Sequence, residues 1–207
     1  MVRAMGIELP ELLLPDVAAW RAWLVEHHAT SPGVWLVLSR KGGTATALGY
    51  AAALEEALCF GWIDGQVRRR DEQTTFQRTT PRGPRSRWSA RNVGYAERLI
   101  EEGRMAPAGL AAVEAARADG RWDAAYEGPA SAVMPADLLA AIAADPAAQA
   151  TYDVLTSQNR YALYHRLTAI KGDEARARRI DSFVAMLARG ETPRPQRCST
   201  AAWESPD

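Results

Sequence analysis

The spacing of apolar and polar positions predicts helices on either side of one β-rich region. Apolar residues recur at helical spacing over Leu13–His28, with Asp16 as the N-cap, and again over Tyr50–Phe60. Val34–Leu38 is a short apolar run typical of a central strand. From Pro135 onward the pattern is helical again. The expected fold class is α+β: a small antiparallel sheet with a β-hairpin, flanked by helices and followed by a helical C-terminal region.

The stretch Trp62–Thr80 predicts the β-hairpin. Its arms are expected at Ile63–Arg70 and Thr74–Thr80, joined by a tight turn at positions 71 and 72. This register sets Gly65 opposite Arg78. A slip of one residue would exchange the two faces of one arm, so the register decides which side chains meet.

Three segments follow from this reading. Residues 13–134 form an α+β region, residues 135–190 form a helical region packed on it, and residues 191–207 form a flexible tail. The tail holds three prolines and few apolar side chains, so its ordering entropy would not be offset. Truncation after Arg189 is therefore expected to leave the melting temperature nearly unchanged.

Composition places the chain among ordinary globular proteins. The 207 residues are 47% hydrophobic and 24% charged, which suits one domain or two small ones. Cys59 and Cys198 are far apart and are expected to be free thiols in a reducing compartment. The sequence has no long apolar segment at its N-terminus or elsewhere, so we expect a cytoplasmic protein without a membrane partner.

Net charge argues against a dedicated non-specific nucleic-acid binder, but the arginines are clustered. The 25 basic residues equal the 25 acidic residues. Between Gln66 and Arg91, however, eight arginines and two acids give a local charge of +6. This cluster fits a solvated surface, a site for a small anion or a nucleic-acid face. Trp62, Phe76 and Trp88 interleave with the arginines, which suits stacking on a planar ligand.

Motifs that hold cofactors do not occur. The sequence lacks the glycine-rich phosphate loop, the dinucleotide fingerprint, the serine nucleophile elbow and metal-ligand spacing around its cysteines. We therefore expect no cofactor. His165 is most simply a histidine on a helix surface, and its functional interpretation is an acid or base at a pocket edge.

The hairpin and the segment after it supply the candidate site. We expect Asp64, Gln77, Arg78 and Trp88 to line one cavity, with Asp64 as general acid or base if the protein is an enzyme. A closed ion pair between Asp64 and Arg78 is the structural alternative. The candidate ligand-binding residues are Trp62, Gln77, Arg78, Trp88 and Asn92.

Several longer motifs carry a family resemblance. They are Glu55–Gly65, Gln77–Arg82, Ser86–Asn92, Glu102–Gly109, Gly120–Asp123 and Lys171–Ile180. Together they resemble the YdeI/OmpD-associated family, also called the bacteriocin-protection family, from about Asp16 to about Pro193. The resemblance implies a link to tolerance of antimicrobial peptides and stress, without a defined reaction or cofactor. Tyr164-His165 and Thr79 depart from the family pattern, which suggests a specialised ligand.

Three functions remain open from the sequence. The first is a binding protein for a small molecule or peptide that is anionic or has a planar group. The second is a cofactor-independent enzyme of secondary metabolism or detoxification, using Asp64 with His165 in reserve. Nucleic-acid binding through the arginine-rich segment ranks third, because the net charge is zero.

Overall fold

The computed structural model describes residues 8–196, which contain four strands and eight helices. The strands are β1 (Glu11–Leu12), β2 (Val34–Ser39), β3 (Trp62–Arg69) and β4 (Thr74–Pro81). The helices are α1 (Val17–His27), α2 (Tyr50–Cys59), α3 (Ala90–Glu101), α4 (Pro107–Ala118), α5 (Ala136–Ala143), α6 (Pro146–Asp153), α7 (Ser157–Leu167) and α8 (Asp173–Ala188). The α+β class is confirmed. None of the helices within residues 8–196 is long and apolar enough to cross a membrane.

The sheet is mixed, whereas the sequence predicted an antiparallel one. Its order is β1-β2-β4-β3; β4 is antiparallel to both of its neighbours, and β1 is parallel to β2. The segment before α1 is extended because Pro15 disfavours helix at the residue preceding it. The helix accordingly begins at Val17, where Asp16 caps it by accepting a hydrogen bond from the Ala19 N–H at 2.9 Å.

The hairpin arms are confirmed to within one residue at each end, but the register changes along them. Asp64 pairs with Thr79 in the expected register, whereas Val67 pairs with Gln77, one position away from the prediction. Two residues of β3, at positions 65 and 66, therefore stand against the single residue Arg78 of β4. This arrangement is a β-bulge, which bends the strand and changes which side chains share a face.

Alternation along β2 divides the sheet into two faces. Val34, Leu36 and Leu38 join the main core, together with Trp20 and Leu24 of α1 and residues of α2 and α3. At Gly61, between α2 and β3, φ is +72° and an added Cβ would lie 2.8 Å from the Ala108 carbonyl oxygen. Glycine at this position lets α2 turn into the sheet against α4.

The chain divides between Ala125 and Tyr126 into two compact units, each with its own core. The expected boundary lay later, after residue 134. We call them the N-terminal unit, described from residue 8, and the C-terminal unit, described to residue 196. The core of the C-terminal unit joins helices α5 to α8 through Leu138, Ile142, Leu163, Phe183 and Leu187.

The start of the expected flexible tail is held in place. The backbone N–H of Arg194 donates to Asn159 Oδ1 at 2.9 Å, and the Arg166 guanidinium donates to the Pro193 carbonyl at 3.3 Å. Asn159 is 1% exposed, and a buried amide requires hydrogen-bond partners, which the tail backbone supplies. These contacts tie residues 193 and 194 to α7, and the effect of truncation after Arg189 on the melting temperature stays a prediction. The rest of the tail, with Cys198, lies outside the described residues.

Candidate ligand-binding site

Asp64 and Tyr50 are joined at the helix-covered face of the sheet. Tyr50 is the first residue of α2, and its hydroxyl donates to Asp64 Oδ2 at 2.7 Å. Tyr50 is 38% exposed, and its partial burial, followed by this hydrogen bond, raises the pKa of Tyr50 above its ordinary value. The phenol therefore remains a donor at neutral pH and occupies one oxygen of the carboxylate.

Behind this pair lies a cavity of about 10 Å³. Its lining residues are Tyr50, Ala53, Leu54, Ala57, Asp64, Gln77 and Thr79. This volume suits about one water molecule, whereas pockets for small organic ligands measure roughly 300 Å³ or more. The cavity is therefore too small for a metabolite in this conformation.

Gln77 lines the cavity and also donates hydrogen bonds to backbone carbonyls at the bulge. It is 4% exposed, and its Nε2 donates to the Gly65 carbonyl at 3.1 Å and to the Arg78 carbonyl at 3.3 Å. The bulge interrupts the ladder hydrogen bonds, so these carbonyls need another donor. A structural role accounts for Gln77 without a ligand.

The other expected cavity residues lie elsewhere. Arg78 is exposed on the opposite face of the sheet, as its pairing with Trp35 requires. Within residues 8–196 it forms no ion pair with Asp64, whose carboxylate faces Tyr50 instead. The expected common cavity therefore holds for Asp64 and Gln77 and fails for Arg78 and Trp88. Alternation along β4 accounts for Arg78, because it stands between Gln77 and Thr79 and so faces the other side of the sheet.

The two tryptophans assigned to the pocket wall are core residues. Trp62 is 1% exposed, and its indole N–H donates to the His28 carbonyl at 3.1 Å. Trp88 is also 1% exposed and lies between the Arg82 guanidinium, 3.6 Å from the ring centre, and the Trp122 ring at 4.8 Å. Asn92 is buried in the first turn of α3, where its backbone N–H is capped by Ser89.

The opposite face of the sheet brings two aromatic rings and two arginines together. We define the arginine–aromatic face as Trp35, Arg68, Phe76 and Arg78. The register places all four on this side, with Trp35 opposite Arg78 and Arg68 opposite Phe76. Both arginines are exposed, and both rings are partly exposed.

The two rings on this face are each covered by a guanidinium. Trp35 and Phe76 meet edge to face, with ring centres 6.1 Å apart. Arg68 lies 4.3 Å from the Trp35 ring centre, and Arg70 lies 5.7 Å from the Phe76 ring centre. These distances are within the range of cation–π attraction.

Charge on this face is only partly compensated. Arg70, just after β3, reaches Glu11 on β1 at 2.7 Å and Asp71 at 2.9 Å. Within residues 8–196, Arg68 and Arg78 are paired with no carboxylate. Two guanidinium groups with free hydrogen-bonding capacity therefore flank the Trp35 ring, which suits an anionic group attached to a planar one.

A separate ionic network joins α1, α2 and the loop after α3. The Glu56 carboxylate, 6% exposed, is bound by Arg21 at 2.6 Å and by Arg104 at 2.7 Å. Glu55 pairs with Arg98 and with Arg104. Hydrogen bonds to these carboxylates raise the pKa of Arg104 and of Arg21, with Glu56 as the largest cause for each. Both glutamates have partners, so we assign this network to stability.

His165, the other candidate acid or base, lies on α7 in the C-terminal unit. Its ring packs edge-on against Tyr126, with ring centres 4.9 Å apart, and beside Tyr161 at 5.9 Å. Asp64 belongs to the N-terminal unit, so the two candidates are held by separate cores. Within residues 8–196, no group of three or more His, Cys, Asp or Glu side chains is placed to hold a metal ion.

Comparison with protein families divides the chain in a similar way. Residues 12–112 match a domain of unknown function (DUF8412). Residues 131–190 match the family described as bacteriocin-protection, YdeI or OmpD-associated. This segment is therefore similar to the YdeI or OmpD-associated family. Searches of curated proteins and of solved structures gave no match.

The YdeI or OmpD-associated segment coincides with helices α5 to α8. The family resemblance is thus confirmed for the C-terminal unit. The motifs quoted from Glu55 to Asn92 instead lie in the segment that the other model matches. The YdeI or OmpD-associated match ends at residue 190, just before the ordered residues 191–196.

Sequence reasoning missed Trp35 and Arg68 as partners on one face. The signal was present in β2, where strict alternation puts Trp35 on the face opposite Leu36. The assignment of Arg68 also required the bulge, which the sequence pattern did not reveal.

Proposed function

We propose that the chain is a binding protein for a ligand that combines a planar group with a negative charge. The observation that carries this proposal is the arginine–aromatic face, in which Arg68 stacks on Trp35 and Arg78 lies directly across from it. Cross-strand neighbours have Cβ atoms about 5 Å apart, so one small ligand spans both.

Each side chain has a distinct part in this proposal. Trp35 and the Arg68 guanidinium offer flat surfaces on which a planar ring stacks. Arg78 presents its donors to a carboxylate or phosphate, with which a guanidinium forms two parallel hydrogen bonds. The site is open, so it suits reversible binding, and it replaces the pocket that the sequence suggested.

Tolerance of antimicrobial compounds is the context that we propose for this binding. The family description of residues 131–190 names bacteriocin protection, which supports a protective role without naming a ligand. A protein that sequesters a planar, anionic compound protects in proportion to its concentration and needs no reaction. Asp64 as an acid or base stays a prediction.

The test uses three probes and two matched variants. Adenosine 5′-monophosphate carries both a plane and a charge, adenosine carries only the plane, and inorganic phosphate carries only the charge. We expect saturable binding of the monophosphate by calorimetry, tighter than binding of either other probe. Arg78→Gln should weaken binding of the monophosphate and leave binding of adenosine unchanged.

Arg69→Gln is the control, because it removes the same charge from the same hairpin. Arg69 precedes the turn on the other face and pairs with Glu72. Equal loss of binding in Arg69→Gln and Arg78→Gln would show that the overall positive charge of the hairpin, and not the position of Arg78, causes binding. Absence of saturable binding by all three probes would refute the proposal.

A further inference from the structure

In the C-terminal unit, Asn159 holds a stretch of the chain's own backbone. The Asn159 side chain accepts from the Arg194 N–H at 2.9 Å and donates to the Arg194 carbonyl at 3.1 Å. One amide thus pairs with both backbone groups of one residue. This contact recognises the peptide backbone and not the side chain at that position. The backbone bends at Pro193 and Arg194, where the Thr192 hydroxyl also donates to the Arg194 carbonyl at 2.8 Å.

Gln196 supplies the selectivity that the backbone contact lacks. Its Oε1 accepts from the Thr156 N–H at 3.2 Å and from Asn159 Nδ2 at 2.7 Å. Its Nε2 donates to the Val154 carbonyl at 3.2 Å. A glutamine two residues after the backbone contact therefore meets both a donor and an acceptor, and a carboxylate would lose the bond to Val154.

The flanking prolines suit this mode of binding. Pro193 and Pro195 have no N–H, so they leave no unsatisfied donor, and their fixed φ reduces the entropy that a peptide loses on binding. The Pro193 carbonyl accepts from Arg166 at 3.3 Å. The pattern recognised is therefore Pro-x-Pro-Gln, where x is any residue.

Two observations indicate that residues 193–196 are distinct from the helical domain to which they bind. The four groups that bind it, from Val154, Thr156, Asn159 and Arg166, all lie within the family match, whereas residues 193–196 lie beyond its end at residue 190. Arg194 and Pro195 are exposed, so hydrogen bonds hold the segment more than burial does. Such contacts exchange readily with an equivalent peptide.

We propose that Val154, Thr156, Asn159 and Arg166 form a recognition site for Pro-x-Pro-Gln peptides of other proteins, which the chain's own residues 193–196 block. Because the blocking segment is tethered, its effective concentration is about millimolar or higher, and a competing peptide binds the intact chain weakly. Release of the segment opens the site. The proposal is independent of the arginine–aromatic face.

The test uses a labelled synthetic peptide of the sequence Glu-Thr-Pro-Arg-Pro-Gln and fluorescence anisotropy. A chain that ends at Gly190 should bind it saturably, and the intact chain should bind it at least about tenfold more weakly. Replacing the peptide's glutamine by alanine should weaken binding by about tenfold, since three hydrogen bonds are lost. Replacing its arginine by alanine should change binding by less than about twofold, because only backbone atoms of that residue are contacted.

Two full-length variants complete the test and do not depend on the shortened chain folding. Gln196→Ala weakens the blocking segment, so this variant should bind the peptide more tightly than the intact chain. Adding Asn159→Ala to it should abolish the gain. Equal binding by Gln196→Ala and the intact chain, or binding that survives Asn159→Ala, would show that residues 193–196 only tie down the C-terminus.

Discussion

The guanidinium carbon of Arg68 lies 4.3 Å from the centre of the Trp35 ring, although β4 separates the strands that carry them. An exposed cation–π contact of this kind contributes about 0.5–1 kcal/mol. A double-mutant cycle with Arg68→Met and Trp35→Leu should return a coupling energy of that size in urea denaturation. The cycle of Arg69→Met with Trp35→Leu should return almost none, because Arg69 points to the other face. Equal coupling in the two cycles would contradict the geometry.

Glu56 is expected to be the most sensitive carboxylate of the ionic network. Glu56→Gln leaves Arg21 without its charged partner, whereas Arg104 keeps Glu55 and Glu102. Because both arginines are partly solvated, we expect a loss of about 2 kcal/mol. Glu102→Gln in the same network should cost less than about 1 kcal/mol, because its side chain is 39% exposed. Chemical denaturation at neutral pH measures both. Equal losses would show that burial does not decide the contribution.

Asp71 at the hairpin turn makes the fold sensitive to acid. Its carboxylate accepts from the Thr74 hydroxyl and from the backbone N–H groups of Gln73 and Thr74, which lowers its pKa to about 2. A depressed pKa stabilises the folded state above the unfolded value of about 3.9, and this contribution is lost as the pH falls through about 2.

Asp71→Asn should therefore lower stability at pH 7. The difference from the original protein should shrink as the pH falls from about 4 to about 2. Thermal melts across this range give the comparison, with Glu72→Gln as the control because Glu72 is highly exposed. A stability difference independent of pH would exclude the charge of Asp71 as its origin.

Tyr50 should titrate later than an ordinary tyrosine. Its pKa is raised by burial and by the hydrogen bond to Asp64. A raised pKa means that the stabilising contact is complete below the unfolded value of about 10 and is lost as the pH rises through the folded one. Absorbance near 295 nm should show a late step that Tyr50→Phe removes and that Asp64→Asn moves to lower pH. A late step unchanged by Tyr50→Phe would belong to another tyrosine.

Local signals in the sequence predicted most elements but not the arrangement of the site. Asp16, Ser89 and the hairpin turn act through neighbours a few residues away, so their patterns identify the ends of α1, α3 and the two arms. β1 escaped prediction because two residues carry too little alternation, and its partner is more than twenty residues away. The α+β class was predicted correctly because it depends only on the helical and strand spacing of apolar residues.

The candidate site depended on information that a linear pattern lacks. The bulge shifts the register of β3 against β4 at a point between Asp64 and Val67, and no residue pattern in the sequence predicted this shift. Trp62 and Trp88 looked equivalent to Trp35 in sequence, but only Trp35 lies on the face away from the helices. The ordering of residues 193–196 likewise depends on Asn159, a single buried amide that lies far from them in sequence.

The position of β3 has a consequence for assembly. β3 lies at the margin of the sheet, where unpaired backbone groups invite a strand from another molecule. Three consecutive arginines close to its end and the bulge in its middle oppose such pairing, through repulsion between like charges and through local bending. We therefore expect the arginine run to oppose edge-to-edge association, and variants that neutralise positions 68–70 together should associate more strongly than the original chain in sedimentation velocity.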